Sequence, residues 1–154
     1  MTSTVQAIFT ATLACGTLDA AAASTQAAAL GIQPRRVWQG VASGLLGPRA
    51  LEAGWSSALI GFALHFFISF VIATIYVVAS QMFASQGMVF LLRHPLAAGA
   101  LYGAAVFLVM SYIVIPLSRR AKRPFNLKFA LTQLLIHIFI VGWSIALSAH
   151  YVLR

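Results

Sequence analysis

The chain has 154 residues, 61% of them hydrophobic and only 8% charged, with a mean hydropathy of +0.93. A soluble chain of this length needs a far more charged exterior, so the composition describes an integral membrane protein with almost no soluble mass. The net charge of +8 does not indicate nucleic-acid binding, because the basic residues cluster in loops beside apolar spans and no basic soluble fold is left to hold a duplex.

Apolar runs at about 5–30, 55–83, 95–117 and 125–153 each supply the roughly 20 residues that cross a hydrocarbon core. They predict an all-α protein, a bundle of four transmembrane helices forming one membrane domain over residues 1–154. Arg35, Arg36 and Arg49 lie between the first two spans, and Arg119, Arg120, Lys122, Arg123 and Lys128 between the last two; the opposite side holds only Arg93 and Arg154. This eight-to-two split places both basic loops in the cytoplasm and both termini outside it. The same loops would attract anionic lipid headgroups.

The first span is rich in alanine (Ala20 to Ala23, Ala27 to Ala29) and carries Thr12, Thr17, Asp19, Ser24, Thr25 and Gln26. Small side chains let helix backbones approach where lipid gives no hydrophobic drive for association, so this helix belongs inside the bundle. Leu13, Ala14, Cys15 and Gly16 loosely resemble a lipoprotein cleavage box, but no basic residue precedes the stretch and apolarity runs on past it. Cys15, the single cysteine, reads most simply as a small packing residue.

Next, Pro34 suits the first position of a helix, and Val37, Val41 and Leu45 recur at four-residue spacing beside Arg35 and Arg36. A short interfacial helix over about 34–46 follows, with Trp38 at headgroup level. The rival is a re-entrant hairpin, favoured by Gly40, Gly44 and Gly47. In the second span Ser57, Gly61, His65, Ser69 and Ala73 form one small, polar stripe. The third offers Gly99 and Gly103, a GxxxG pair suited to close helix packing as Gly61 is, then Tyr102, Ser111, Tyr112 and, near its end, Pro116. In the fourth, Gln133, His137, Ser144 and Ser148 share a face, with Gly142 giving room.

Asp19, His65 and His137 each fall about 12 residues from the basic end of their span, roughly 18 Å deep at 1.5 Å per residue. Ionisable residues at that depth are expensive, so they turn inward, find partners and mark a candidate site. Asp19, His65, His137, Ser69, Gln133 and Ser144 are therefore the expected ligand or proton site, with the two histidines equivalent members of one network. Axial ligation of one b-type haem by His65 and His137 is a third reading, with Gly61 and Gly142 clearing space for the porphyrin. His94 and His150 lie on the other side and fall short of the three or four ligands a metal centre needs, so no metal site is expected. Nor does a hydrolase or phosphate-loop motif occur, so catalysis is not expected.

His65, Phe66, Phe67 and Tyr76, then Ala98, Gly99, Ala100 and Leu101, then Pro116, then His137, Trp143, Ser144 and Ile145 resemble a family of small bacterial inner-membrane proteins related to the YagU-like proteins. The resemblance covers spans two to four. It implies a bacterial four-span membrane protein with a histidine in spans two and four, and implies no activity. Two function classes follow from the residues: a polar intramembrane site that binds or transports a small ligand, ion or proton, in a homo-oligomer if it transports; or an accessory subunit, in which the alanine-rich span and the Gly99/Gly103 face dock on a larger membrane complex.

Overall fold

The computed structural model describes residues 3–122 and 124–153, so Arg123 and Arg154 of the charge pattern lie outside the described residues. Every regular element among the described residues is helical. Four helices are long and apolar enough to cross a membrane: Ser3–Ala29, Gly54–Ser85, Pro95–Leu117 and Leu127–Leu153, hereafter the first to fourth spans. Leu59, Leu101, Leu117 and Tyr151 are among the many large side chains left exposed on the bundle's outside, the distribution expected where the surrounding solvent is lipid.

Local chemistry sets the ends. Gly31, at φ 69°, turns the chain out of the first span, a conformation that costs a residue without Cβ little. Pro34 then opens the connecting helix, Pro34–Leu46, where its missing N–H and fixed φ are harmless. Gly47, at φ 76°, ends it and leads into a 3₁₀ turn over Pro48–Leu51. A short helix, Phe90–Arg93, precedes the third span, which Pro95 opens. The Asn126 side chain caps the fourth by accepting from the Phe129 N–H at 2.9 Å.

Packing between spans rests on missing side chains. A Cβ on Gly103 would lie 2.1 Å from the carbonyl oxygen of His137, and one on Gly142 would lie 2.0 Å from that of Gly99. Spans three and four therefore cross backbone on backbone. This occupies the Gly99/Gly103 face within the chain, so it is not the docking surface for a larger complex that the accessory-subunit reading requires. The first span packs against the second and fourth, with Ala7, Ala11 and Cys15 buried in a core that also holds Ala73, Val77, Ile145 and Ala146. Thr4 and Gln81 hydrogen-bond each other at its far end.

The connecting helix is one unbroken helix rather than a hairpin, and it packs chiefly on the second span. A Cβ on Gly61 would come within 1.8 Å of the Trp38 carbonyl oxygen. Gln39 donates to the Gly54 carbonyl at 2.9 Å and Ser57 to that of Ala50 at 2.6 Å. Trp38 packs on the second span. Its half-buried ring stands edge-on to Phe62 and to His65, with centroids 5.2 and 5.4 Å apart.

Two turns depart from α geometry: Met110–Val114 in the third span and His137–Gly142 in the fourth are π-helical. Pro116 follows the first, and a proline ring collides with the carbonyl four residues earlier unless the helix widens there. The second contains no proline. It lies where Gly103 meets the His137 carbonyl and Gly142 meets Gly99, so backbone contact rather than a breaker residue marks it. Such π turns concentrate at functional sites, and both border the cavity described next.

Candidate functional site: a polar cavity between the four spans

Beside the contact in which the Tyr102 hydroxyl donates to the Ile72 carbonyl at 2.6 Å, the bundle borders a partly open cavity of about 420 Å³. All four spans line it. Asp19 and Cys15 come from the first, His65 and Ser69 from the second, Gln133 and His137 from the fourth, while the third contributes Val106, Phe107 and Met110. Toward the basic loops its wall includes Val41 of the connecting helix, Arg120 and Phe125. In the helices as they stand, Asp19, His65 and His137 lie about ten residues inside the basic end of their spans, roughly 15 Å at 1.5 Å per residue.

The two histidines are held differently. His65 Nε2 lies 2.9 Å from the carbonyl oxygen of Gly16 on the first span. A carbonyl only accepts, so that nitrogen carries the proton and donates, leaving Nδ1 as the acceptor in the neutral ring. Nδ1 faces Asp19 Oδ2 at 3.8 Å, too long for a direct hydrogen bond. Phe66 packs on Gly16 and stands edge-on to His65, while Trp38 meets the imidazole from the connecting helix. His65 thus ties three elements together.

His137 stays closer to home. Its Nδ1 lies 2.8 Å from the Gln133 carbonyl one turn back in the same helix, and its ring is edge-on to Phe107 at 5.7 Å. The same logic protonates Nδ1 and leaves Nε2 as an acceptor. The sequence expectation that the histidines are equivalent therefore gives way: one bonds between helices and the other within its own.

The remaining expected residues find partners. Gln133 donates through Nε2 to Gln26 Oε1 at 2.9 Å, joining spans four and one. Ser69 donates to the His65 carbonyl at 3.0 Å. Ser144 does not line the cavity; it lies about two turns beyond His137, donates to the Val141 carbonyl at 3.0 Å, and with Ser69 flanks the Cys15 thiol. Cys15 is buried packing, yet it forms part of this polar floor. His150 engages the Leu92 carbonyl through Nδ1, and the ring of exposed His94 lies tilted against Phe90.

The haem reading does not fit this arrangement. The space expected beside Gly61 is filled by the Trp38 and Ala42 backbone, and that beside Gly142 by Gly99 and Gly103. His65 Nε2 is already committed to the Gly16 carbonyl. Ligation of a porphyrin would need these contacts undone.

Sequence reasoning missed three contributors: Gly16, which supplies both the carbonyl and the room for Phe66; Trp38; and the π turns. A glycine three residues before Asp19 in an alanine-rich helix carries no distinctive type signal, and π turns have none. The fold is that of a multi-pass helical membrane protein with a cavity bordered by residues of all four spans. No family model, curated protein or solved structure matches the chain.

Proposed function

We propose that this protein binds a small, largely apolar molecule within the membrane, with Asp19, His65, Ser69, Gln133 and His137 as the polar end of the site. One observation supports the reading above all. Side chains from all four spans border a single space of about 420 Å³, a volume typical of small-molecule pockets, about 300–1,000 Å³, with aliphatic and aromatic walls and the costly polar residues gathered at one level. A purely structural role would favour tight closure of that layer rather than a cavity beside it. Transport would follow only if a second copy completed a pathway, because four spans supply little wall.

Tryptophan emission tests the reading. In a chain carrying Trp55→Phe and Trp143→Phe, Trp38 beside His65 is the remaining indole. Adding tetralin to this protein in nanodiscs should change its emission saturably, and Ser111→Phe, which fills the wall of the cavity, should abolish the change. A linear change shared by both proteins would sink the proposal. The eight-to-two charge split and the YagU-like resemblance support a bacterial inner membrane with both termini outside the cytoplasm; a C-terminal reporter active only in the cytoplasm should stay silent.

A further inference from the structure

The hydrogen-bond directions at the polar layer specify the ligand's chemistry, and this rests on the cavity being a binding site. Donors of the Asp19, His65 and His137 layer are engaged within the protein: His65 Nε2–H on Gly16, His137 Nδ1–H on Gln133, the Ser69 hydroxyl on the His65 carbonyl, and one amide N–H of Gln133 on Gln26; the cavity's other donors, on Ser111, Tyr112, Arg120 and Asn126, belong to the wall nearer the basic loop. Acceptors remain. They are Asp19 Oδ2 and His65 Nδ1, which face each other at 3.8 Å, together with His137 Nε2. Two acceptors have no proton to share, yet a single N–H-bearing nitrogen between them can reach both at about 2.9 Å.

An anion placed here would meet a carboxylate and two lone pairs with few donors to hold it. A neutral donor could satisfy one acceptor but leaves the carboxylate charge uncompensated in an apolar setting, which is costly. A protonated amine answers both needs, since a primary ammonium has three N–H donors, a secondary one two, and both carry the opposite charge, and charge-assisted hydrogen bonds are the stronger ones. The walls suit what such a cation carries. Phe107, Phe129 and Tyr112 contribute aromatic rings to the wall, groups that attract cations, while Ile68, Ile72 and Val106 supply aliphatic wall for an apolar body. Asp19 is one of only two acidic residues in the chain. The charged and titratable groups that border the site with it are Cys15, His65, His137, Tyr112 and Arg120; Arg120 follows the end of the third span, on the loop side of the layer.

We infer that the site takes an amphipathic organic cation, a primary or secondary ammonium on a compact apolar body, with the nitrogen between Asp19 and His65.

The test compares 2-aminotetralin, protonated at neutral pH, with its neutral isostere 2-tetralol, each titrated into the purified full-length protein in nanodiscs and read by isothermal calorimetry. Lipid partitioning is subtracted using the Ser111→Phe protein. The amine should bind at least tenfold tighter than the alcohol, a difference of about 1.4 kcal/mol. Asp19→Asn should erase that preference while leaving alcohol binding in place. His137→Phe, which keeps the ring packing on Phe107 and loses only an intrahelical side-chain bond, should weaken the amine several-fold, and it serves if Asp19→Asn does not fold. Equal binding of amine and alcohol, unchanged by either substitution, would overturn the cationic ligand class while leaving an intramembrane binding site. Absence of saturable binding by both probes would overturn the site itself.

Discussion

Two helix contacts in this bundle use glycine and polar residues in opposite ways. At the crossing of spans three and four, Gly99, Gly103 and Gly142 bring backbones into direct contact and leave no space. Between spans two and three, Tyr102 and Ile72 share one hydrogen bond, and beside it the bundle borders the cavity lined by Asp19 and His65. In lipid, association depends on close packing and polar contacts rather than on hydrophobic drive. The difference teaches that the tight seam lets the rest of the bundle hold open a polar wedge, which carries the chemistry.

The sharpest way to break this comparison is to add a methyl group where helices meet backbone on backbone, at the seam (Gly103) or between the second span and the connecting helix (Gly61). Gly103→Ala and Gly61→Ala place a Cβ about 2 Å or less from a backbone carbonyl, which no rotamer change relieves. Each should destabilise the protein by about 3 kcal/mol, the upper part of the overpacking range, and thermal melting in detergent should show little folded material. Stability near wild type would mean that the helices do not cross there.

A smaller effect separates the histidines. His65→Ala removes a bond to the first span, where the Gly16 carbonyl keeps its intrahelical partner, together with the ring's packing on Trp38 and Phe66, for a loss of about 1–2 kcal/mol. His137→Ala removes a bond within one helix whose carbonyl keeps its backbone partner, so it should lose less than about 1 kcal/mol. Equal losses in the same melting assay would restore the view of the two rings as equivalent members of one network.

Smaller still is the Gln26–Gln133 pair. A double-mutant cycle with leucine at both positions should give a coupling of about 0.6 kcal/mol, the average for interhelical hydrogen bonds in membranes. A coupling of zero would remove the pair from the account of how spans one and four are joined.

A last substitution, expected to move stability the other way, contrasts glycines within the sequence itself. Gly40 on the connecting helix would place its Cβ 3.8 Å from an Arg120 nitrogen, an ordinary contact. Gly40→Ala should therefore be neutral or slightly stabilising, by up to about 1 kcal/mol, through the helix preference of alanine. Destabilisation like that of Gly61→Ala would show the connecting helix seated more deeply than described.

The four spans were readable from the sequence because length and apolarity are properties of a segment taken alone, and the hydrocarbon core admits little besides a closed helix. The stripe of Ser57, Gly61, Ser69 and Ala73 was readable for a similar reason: four-residue steps on one helix fix a face, and the structure buries all four. Gly99 and Gly103 announced a close contact but not its partner. That the partner is the fourth span, that Trp38 covers His65, that π turns border the cavity and that the layer presents acceptors rather than donors all arise from backbone groups meeting between distant segments. Every residue carries the same carbonyl and N–H, so their pairing leaves no trace in residue type; it is settled only when helices cross at a particular place and angle.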